Sequence, residues 1–80
     1  MRAAYEKLDI HEILQLCHQL PYREREILMG NFGLRGRKLT CRELAKIFKV
    51  SSQRVSQIRE NACRKLNRIC AIRQAEEKWL

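Results

Sequence analysis

Apolar side chains at Ile10, Ile13, Leu14, Cys17 and Leu20 recur at three and four residues, the spacing that lines one face of a helix. Asp9-Ile-His-Glu12 has the form of a capping box, so a first helix is expected from about Asp9 to Leu20. Pro21 closes that helix or opens the next. A second helix is expected from Tyr22 to about Asn31, with Ile27, Leu28 and Phe32 at core spacing and Arg23, Glu24, Arg25 and Glu26 pairing along its surface. Gly30 weakens its last turn by about 1 kcal/mol relative to Ala. Gly33 and Gly36, with Arg35, Arg37 and Lys38, then read as a mobile basic loop.

From Thr40 to Arg68 the chain reads as a helix-turn-helix whose second helix carries a basic continuation. Thr40-Cys-Arg-Glu43 is a second capping box and opens a third helix reaching about Phe48. Leu44, Ala45, Phe48, Val50, Val55 and Ile58 fall where two short helices crossing at a tight turn bury surface, with Ala45 small at the closest approach. Lys49 sits in the turn, where a positive φ costs a side chain about 1 kcal/mol. Ser51 or Ser52 caps a fourth helix, and Val55, Ile58, Ala62, Leu66 and Ile69 carry its period onward. The expected fold is all-α: one four-helix domain over residues 1–80, with a helix-turn-helix and an extended C-terminal helix. Such a motif makes the chain a candidate reader of duplex DNA.

Charge supports that expectation. Lys and Arg number 17 against 9 Asp and Glu, a net of +8 on 80 residues. The excess is −1 over residues 1–20, +3 over 21–40 and +6 over 41–80, so the positive field surrounds the helix-turn-helix. A chain this short buries only about 60% of its unfolded surface, which leaves little room for an enzyme cleft. No nucleophile–base pair, phosphate-binding loop or metal set appears, so neither catalysis nor a cofactor is expected. Cys17, Cys41, Cys63 and Cys70 form no C-x-x-C pair, and His11 and His18 do not complete a zinc set with Cys17. Free thiols in a reducing compartment are expected instead. No apolar run approaches the roughly 20 residues of a membrane span and no leader is evident, so a cytoplasmic location is expected.

Five ordered blocks carry a more specific signal. Leu20-Pro-Tyr-Arg-Glu-Arg-Glu-Ile-Leu28, Phe32-Gly-Leu34, Thr40 to Val50, Gln57-Ile58 and Ala62-Cys-Arg-Lys-Leu66 resemble region 4, the promoter-reading domain of bacterial primary sigma factors. That family's pattern runs L-x-x-R-E-R-x-V-L, F-G-L, T-L-E-E-[VI]-[AG], R-V-R-Q-I and A-L-[RK]-K-L. The resemblance covers about residues 20–68 and leaves 69–80 as a helical extension. It implies binding of the −35 promoter element by the fourth helix in the major groove. It also implies that the first half of the domain grips the flexible β flap of RNA polymerase, which makes Ile27 and Leu28 candidate partner contacts.

Outward positions near the start of a recognition helix reach base edges, which nominates Ser52, Gln53, Ser56 and Gln57. Gln pairs bidentately with adenine and Ser tolerates either role. The family usually has Arg, Glu, Arg and Gln there, so guanine contacts by two arginines do not carry over, and an altered or relaxed preference follows. Asn31 replaces a usual basic residue, and Arg59 a usual Glu. Phosphate contacts are expected from Lys38, Thr40, Lys46, Arg54 and Arg59, although Thr40 and Ser51 serve equally as plain helix caps and Arg54 as a partner for Glu43.

Arg64, Lys65 and Arg68 form a basic stripe beyond the reader. The resemblance implies that this segment can meet an activator, against the simpler reading of a solvated face. Ile69, Ile72, Ala75, Trp79 and Leu80 make no clean stripe, and Trp79 is the best hint there of a contact, for instance with a second sigma-like subunit. Nothing in these residues supplies promoter melting, so the expected context is an excised domain, half of a split factor, or a separate regulator. Two other classes compete. One is a response-regulator output domain, which also opens with L-x-x-R-E-x-x-V-L; the other is an adaptor or decoy that docks on polymerase without reading DNA.

Overall fold

The computed structural model describes the backbone of residues 8–79 and the side chains of residues 8–73. Among them the chain forms α1 (Ile10–Cys17), α2 (Tyr22–Phe32), α3 (Cys41–Phe48) and α4 (Ser52–Trp79). This is an all-α helix-turn-helix domain. α1 stops earlier than its apolar period suggests, because Gln19 and Leu20 turn back onto Leu16 and Cys17 with backbone hydrogen bonds of 3.0 Å each. Leu20 is buried all the same, at 4% exposure. Pro21 opens α2 rather than closing α1, and its carbonyl accepts from Arg25 N–H at 2.9 Å.

Each junction is closed by local chemistry. Asp9 accepts from Glu12 N–H at 2.9 Å, the forward half of the expected box. At Thr40 the box is complete: its hydroxyl accepts from Glu43 N–H, and the Glu43 carboxylate accepts from Thr40 N–H, both at 3.1 Å. α2 ends in a Schellman turn, with Gly33 left-handed at φ 72° and Leu34 N–H donating to Met29 O at 3.0 Å. A side chain at Gly33 would meet Lys38 Cγ at 2.6 Å, so glycine answers two demands there. Lys49 does adopt the left-handed conformation, at φ 57°. Ser51 is the cap of α4, its hydroxyl accepting from Arg54 N–H at 3.0 Å.

Two apolar clusters share α2 and α4. Leu16, Cys17, Leu20, Leu28, Met29, Ala62, Leu66 and Cys70 unite α1, one face of α2 and the middle of α4. Ile27, Leu44, Ala45, Val55 and Ile58 unite the other face of α2 with the helix-turn-helix. Ile27 and Leu28 are both fully buried, so they hold α2 between the clusters and present no side-chain surface to a partner. The expectation that they form partner contacts is corrected on that ground. Ile10, at the first residue of α1, is 56% exposed, while Leu16 takes the buried place on that stripe.

The loop expected to be mobile is fastened at several points. Leu39 N–H donates to Gly30 O at 2.9 Å, and Asn31 Nδ2 donates to Leu39 O at 3.0 Å. Arg35 pairs with Glu26, and Arg37 Nη2 with Glu43 Oε2 at 2.6 Å. The charges at the start of α2 act both across elements and along the helix. Glu24 binds Lys65 of α4 at 2.9 Å, while Arg23 lies over the Phe48 ring at 6.0 Å and Arg25 over the Tyr22 ring at 5.6 Å.

Candidate nucleic-acid interface

α4 buries Val55, Ile58, Ala62, Leu66 and Cys70, a row that leaves the opposite side of the helix outward along its length. Ser52, Gln53 and Gln57 are exposed and Ser56 is half-buried at the edge of the packed face. α4 continues unbroken to Trp79, so its backbone runs away from these positions. Neither Gln53 nor Gln57 is engaged by another described side chain.

The cations sort by what they touch. Arg35, Arg37 and Lys65 are paired with carboxylates, and Arg64 Nη2 donates to Asn61 Oδ1 at 3.0 Å. Arg59 is half-buried, and its Nη1 donates to Asn31 Oδ1 at 3.4 Å. Two of the expected departures from the pattern the sequence resembles therefore meet: Asn31 and Arg59 join α2 to α4, and Asn31 passes the link on to Leu39. Arg59 is held inward by this contact, unlike the other cations nominated for phosphates.

Lys38, Arg42, Lys46, Lys49, Arg54 and Arg68 remain exposed with no partner among the described residues. Five of these six lie between Lys38 and Arg54, within the loop, α3, the turn and the first turn of α4. Arg42 and Lys46 stand at i and i+4 on the exposed side of α3, and Lys49 follows in the turn at its C-terminal end. Of these three the sequence nominated Lys46 alone, although Arg42 lies one helical turn from it. Arg54 does not pair with Glu43, because Arg37 and the Thr40 N–H already occupy that carboxylate. The same donors hold the Glu43 carboxyl at about 2, against an ordinary 4.5, first through Arg37 and then through Thr40. Thr40 caps α3 as an acceptor, which leaves its hydroxyl proton free to donate.

Most of this architecture matches a family model, sigma-70, region 4, over residues 16–68. The chain belongs to the sigma-70 region 4 family. No solved structure matches it. Region 4 is a DNA-binding helix-turn-helix module of transcription, which is what the unpaired cations around α3 and the open face of α4 suit chemically. Among the described residues no helix is long and apolar enough to cross a membrane, and no group of His, Cys, Asp and Glu could hold a metal ion.

Two further surfaces of this region 4 domain stand out. A groove of about 500 Å³ between α2 and α3 is floored by Met29, Leu39 and Leu44 and edged by Tyr22, Ile47 and Phe48. Tyr22 is 65% and Ile47 60% exposed, with Arg35 and Arg37 at the rim. Of the thiols, Cys17 and Cys70 are buried in the cluster shared by α1, α2 and α4, Cys63 packs at its edge, and Cys41 lies half-buried at the start of α3. All four are free, and burial pushes Cys17 up to about 11, with Cys70 and Cys63 adding to it. A thiol so raised is an inert packing group. The side chain of Trp79 lies outside the described residues.

Proposed function

We propose that this domain reads the −35 element of promoter DNA with the first two turns of α4 in the major groove. Ser52, Gln53, Ser56 and Gln57 face base edges, and Lys38, Arg42, Lys46, Lys49 and Arg54 face phosphates. The concentration of unpaired cations between Lys38 and Arg54 carries this reading, since carboxylates or amides elsewhere occupy most of the described guanidinium and ammonium groups. Titration with a promoter duplex at two salt concentrations tests it. Binding should fall steeply with salt and prefer the promoter over a random duplex. Salt-insensitive or absent binding would remove the proposal.

A second surface extends the reading to RNA polymerase. The groove between α2 and α3 offers exposed Tyr22, Ile47 and half-buried Phe48 to an apolar segment, and we assign it to the β flap in place of the buried Ile27 and Leu28. Replacing Ile47 with Asp should abolish capture of an isolated flap segment and leave duplex binding unchanged. Were flap capture to occur with no duplex binding by the unaltered chain, the adaptor reading would stand instead. Arg68, exposed and unpaired in the middle of α4, is the remaining surface for an activator, with Arg64 beside it on Asn61. A transcription module of this kind belongs in the cytoplasm.

A further inference from the structure

The promoter-reading proposal leaves open which bases are specified, and the inference here rests on that proposal. Guanine is most often read by a guanidinium that spans its O6 and N7. On α4 each guanidinium near the reader is directed elsewhere. Arg59 is half-buried and donates to Asn31. Arg64 stands two turns beyond Gln57 and donates to Asn61. Arg54 follows Gln53 by one residue, which turns it about 100° around the helix toward a flank. The outward face of the first two turns carries two carboxamides and two short hydroxyls.

We infer that the duplex this domain selects is specified at adenine, with Gln53 and Gln57 each pairing a carboxamide with N6 and N7 of one adenine. Both side chains are exposed and unengaged, so no existing hydrogen bond has to break before they pair. They stand four residues apart on one face, about 6 Å along the axis. With base pairs stepping about 3.4 Å, the two adenines lie one to two steps apart. Ser52 and Ser56 form a parallel pair displaced by one residue, and their short hydroxyls impose no comparable choice. This face, whose outward positions carry no arginine, is thus selective for A·T rather than G·C.

The full 80-residue chain, challenged with duplexes randomised across the contact window, provides the test. Two positions should favour A·T over G·C by about tenfold each, within the range for bidentate pairs. Gln57→Arg should transfer one of those positions to G·C by about tenfold and leave the other alone. Substituting 7-deazaadenine at either position removes N7 and should weaken binding by about fivefold, with no effect at flanking positions. Enrichment of G·C by the unaltered chain, equal use of all four pairs, or indifference to 7-deazaadenine would each overturn the adenine assignment while leaving duplex reading in place. Failure to bind any duplex at low salt would instead overturn the promoter-reading proposal and this inference with it.

Discussion

The two halves of this domain handle charge in opposite ways. Around α1, α2 and the middle of α4, most described cations other than Arg68 are tied to neighbours: Lys65 to Glu24, Arg35 to Glu26, and Arg59 to Asn31. From Lys38 to Arg54 five cations stand free, and the one carboxylate in that span, Glu43, is taken up by its helix cap and Arg37. Net charge alone does not separate these cases. What distinguishes an interface from a solvated or structural face is the share of cations left without a local partner, because only those can exchange counterions for phosphates at no internal loss.

The larger apolar cluster should be where the scaffold is most sensitive. Leu66 is fully buried between α1 and α2, and Leu66→Ala should cost about 2–5 kcal/mol, read by chemical denaturation. If the halves fold as one unit, backbone amides of α3 should lose protection by a similar amount. Retained protection in α3 would show that the helix-turn-helix half stands without the scaffold, and the contrast would then be one of two folding units.

The next effect belongs to the reader alone. Gln57→Ala should lower discrimination by about 1–3 kcal/mol at one base pair and leave the melting temperature unchanged. Equal losses on specific and random duplexes would move Gln57 out of the reading face. Lys46→Ala should instead weaken all sequences alike and flatten the dependence of log affinity on log salt by about one unit. An unchanged slope would return Lys46 to the solvated surface. Arg42, one turn from Lys46 on α3, and Lys49 in the turn after it should behave in the same way.

What the chain disclosed in advance follows the range of the forces involved. Caps, turn residues and apolar period act within a few residues, and so the Thr40 cap, the Lys49 turn, a serine cap at 51 or 52 and the elongated α4 are all legible in the sequence. The open face of α4 was legible too, since burial of Val55 and Ile58 dictates which residues face out. Contacts between distant elements were not. Glu24 meets Lys65 across 41 positions, and Arg59 meets Asn31 across 28. No local pattern announces such pairs, so cations that look equivalent in the chain divide into bound and free only after folding. Ile27 and Leu28 were misjudged for a related reason: adjacent residues on α2 face two different clusters, which hides both from any partner.

The smallest expected effect lies at the boundary between the halves, on the exposed Arg37–Glu43 pair. Glu43 has its folded pKa depressed to about 2 from an ordinary 4.5 by Arg37 and by Thr40 N–H. A depressed carboxylate stabilises the fold fully above its unfolded value and loses that contribution as pH falls through the folded one. Glu43→Gln keeps an acceptor for the cap but carries no charge, so its melting temperature should lie below that of the unaltered chain at pH 6. The gap should close as pH falls from about 4.5 toward 2, and every other carboxylate cancels because both chains share it. Raising salt should narrow the gap at pH 6 as well, because the pair is exposed to solvent. A gap constant from pH 6 to pH 2 would show that the cap holds through geometry alone, and that Arg37 is then as free for phosphate as the cations around it.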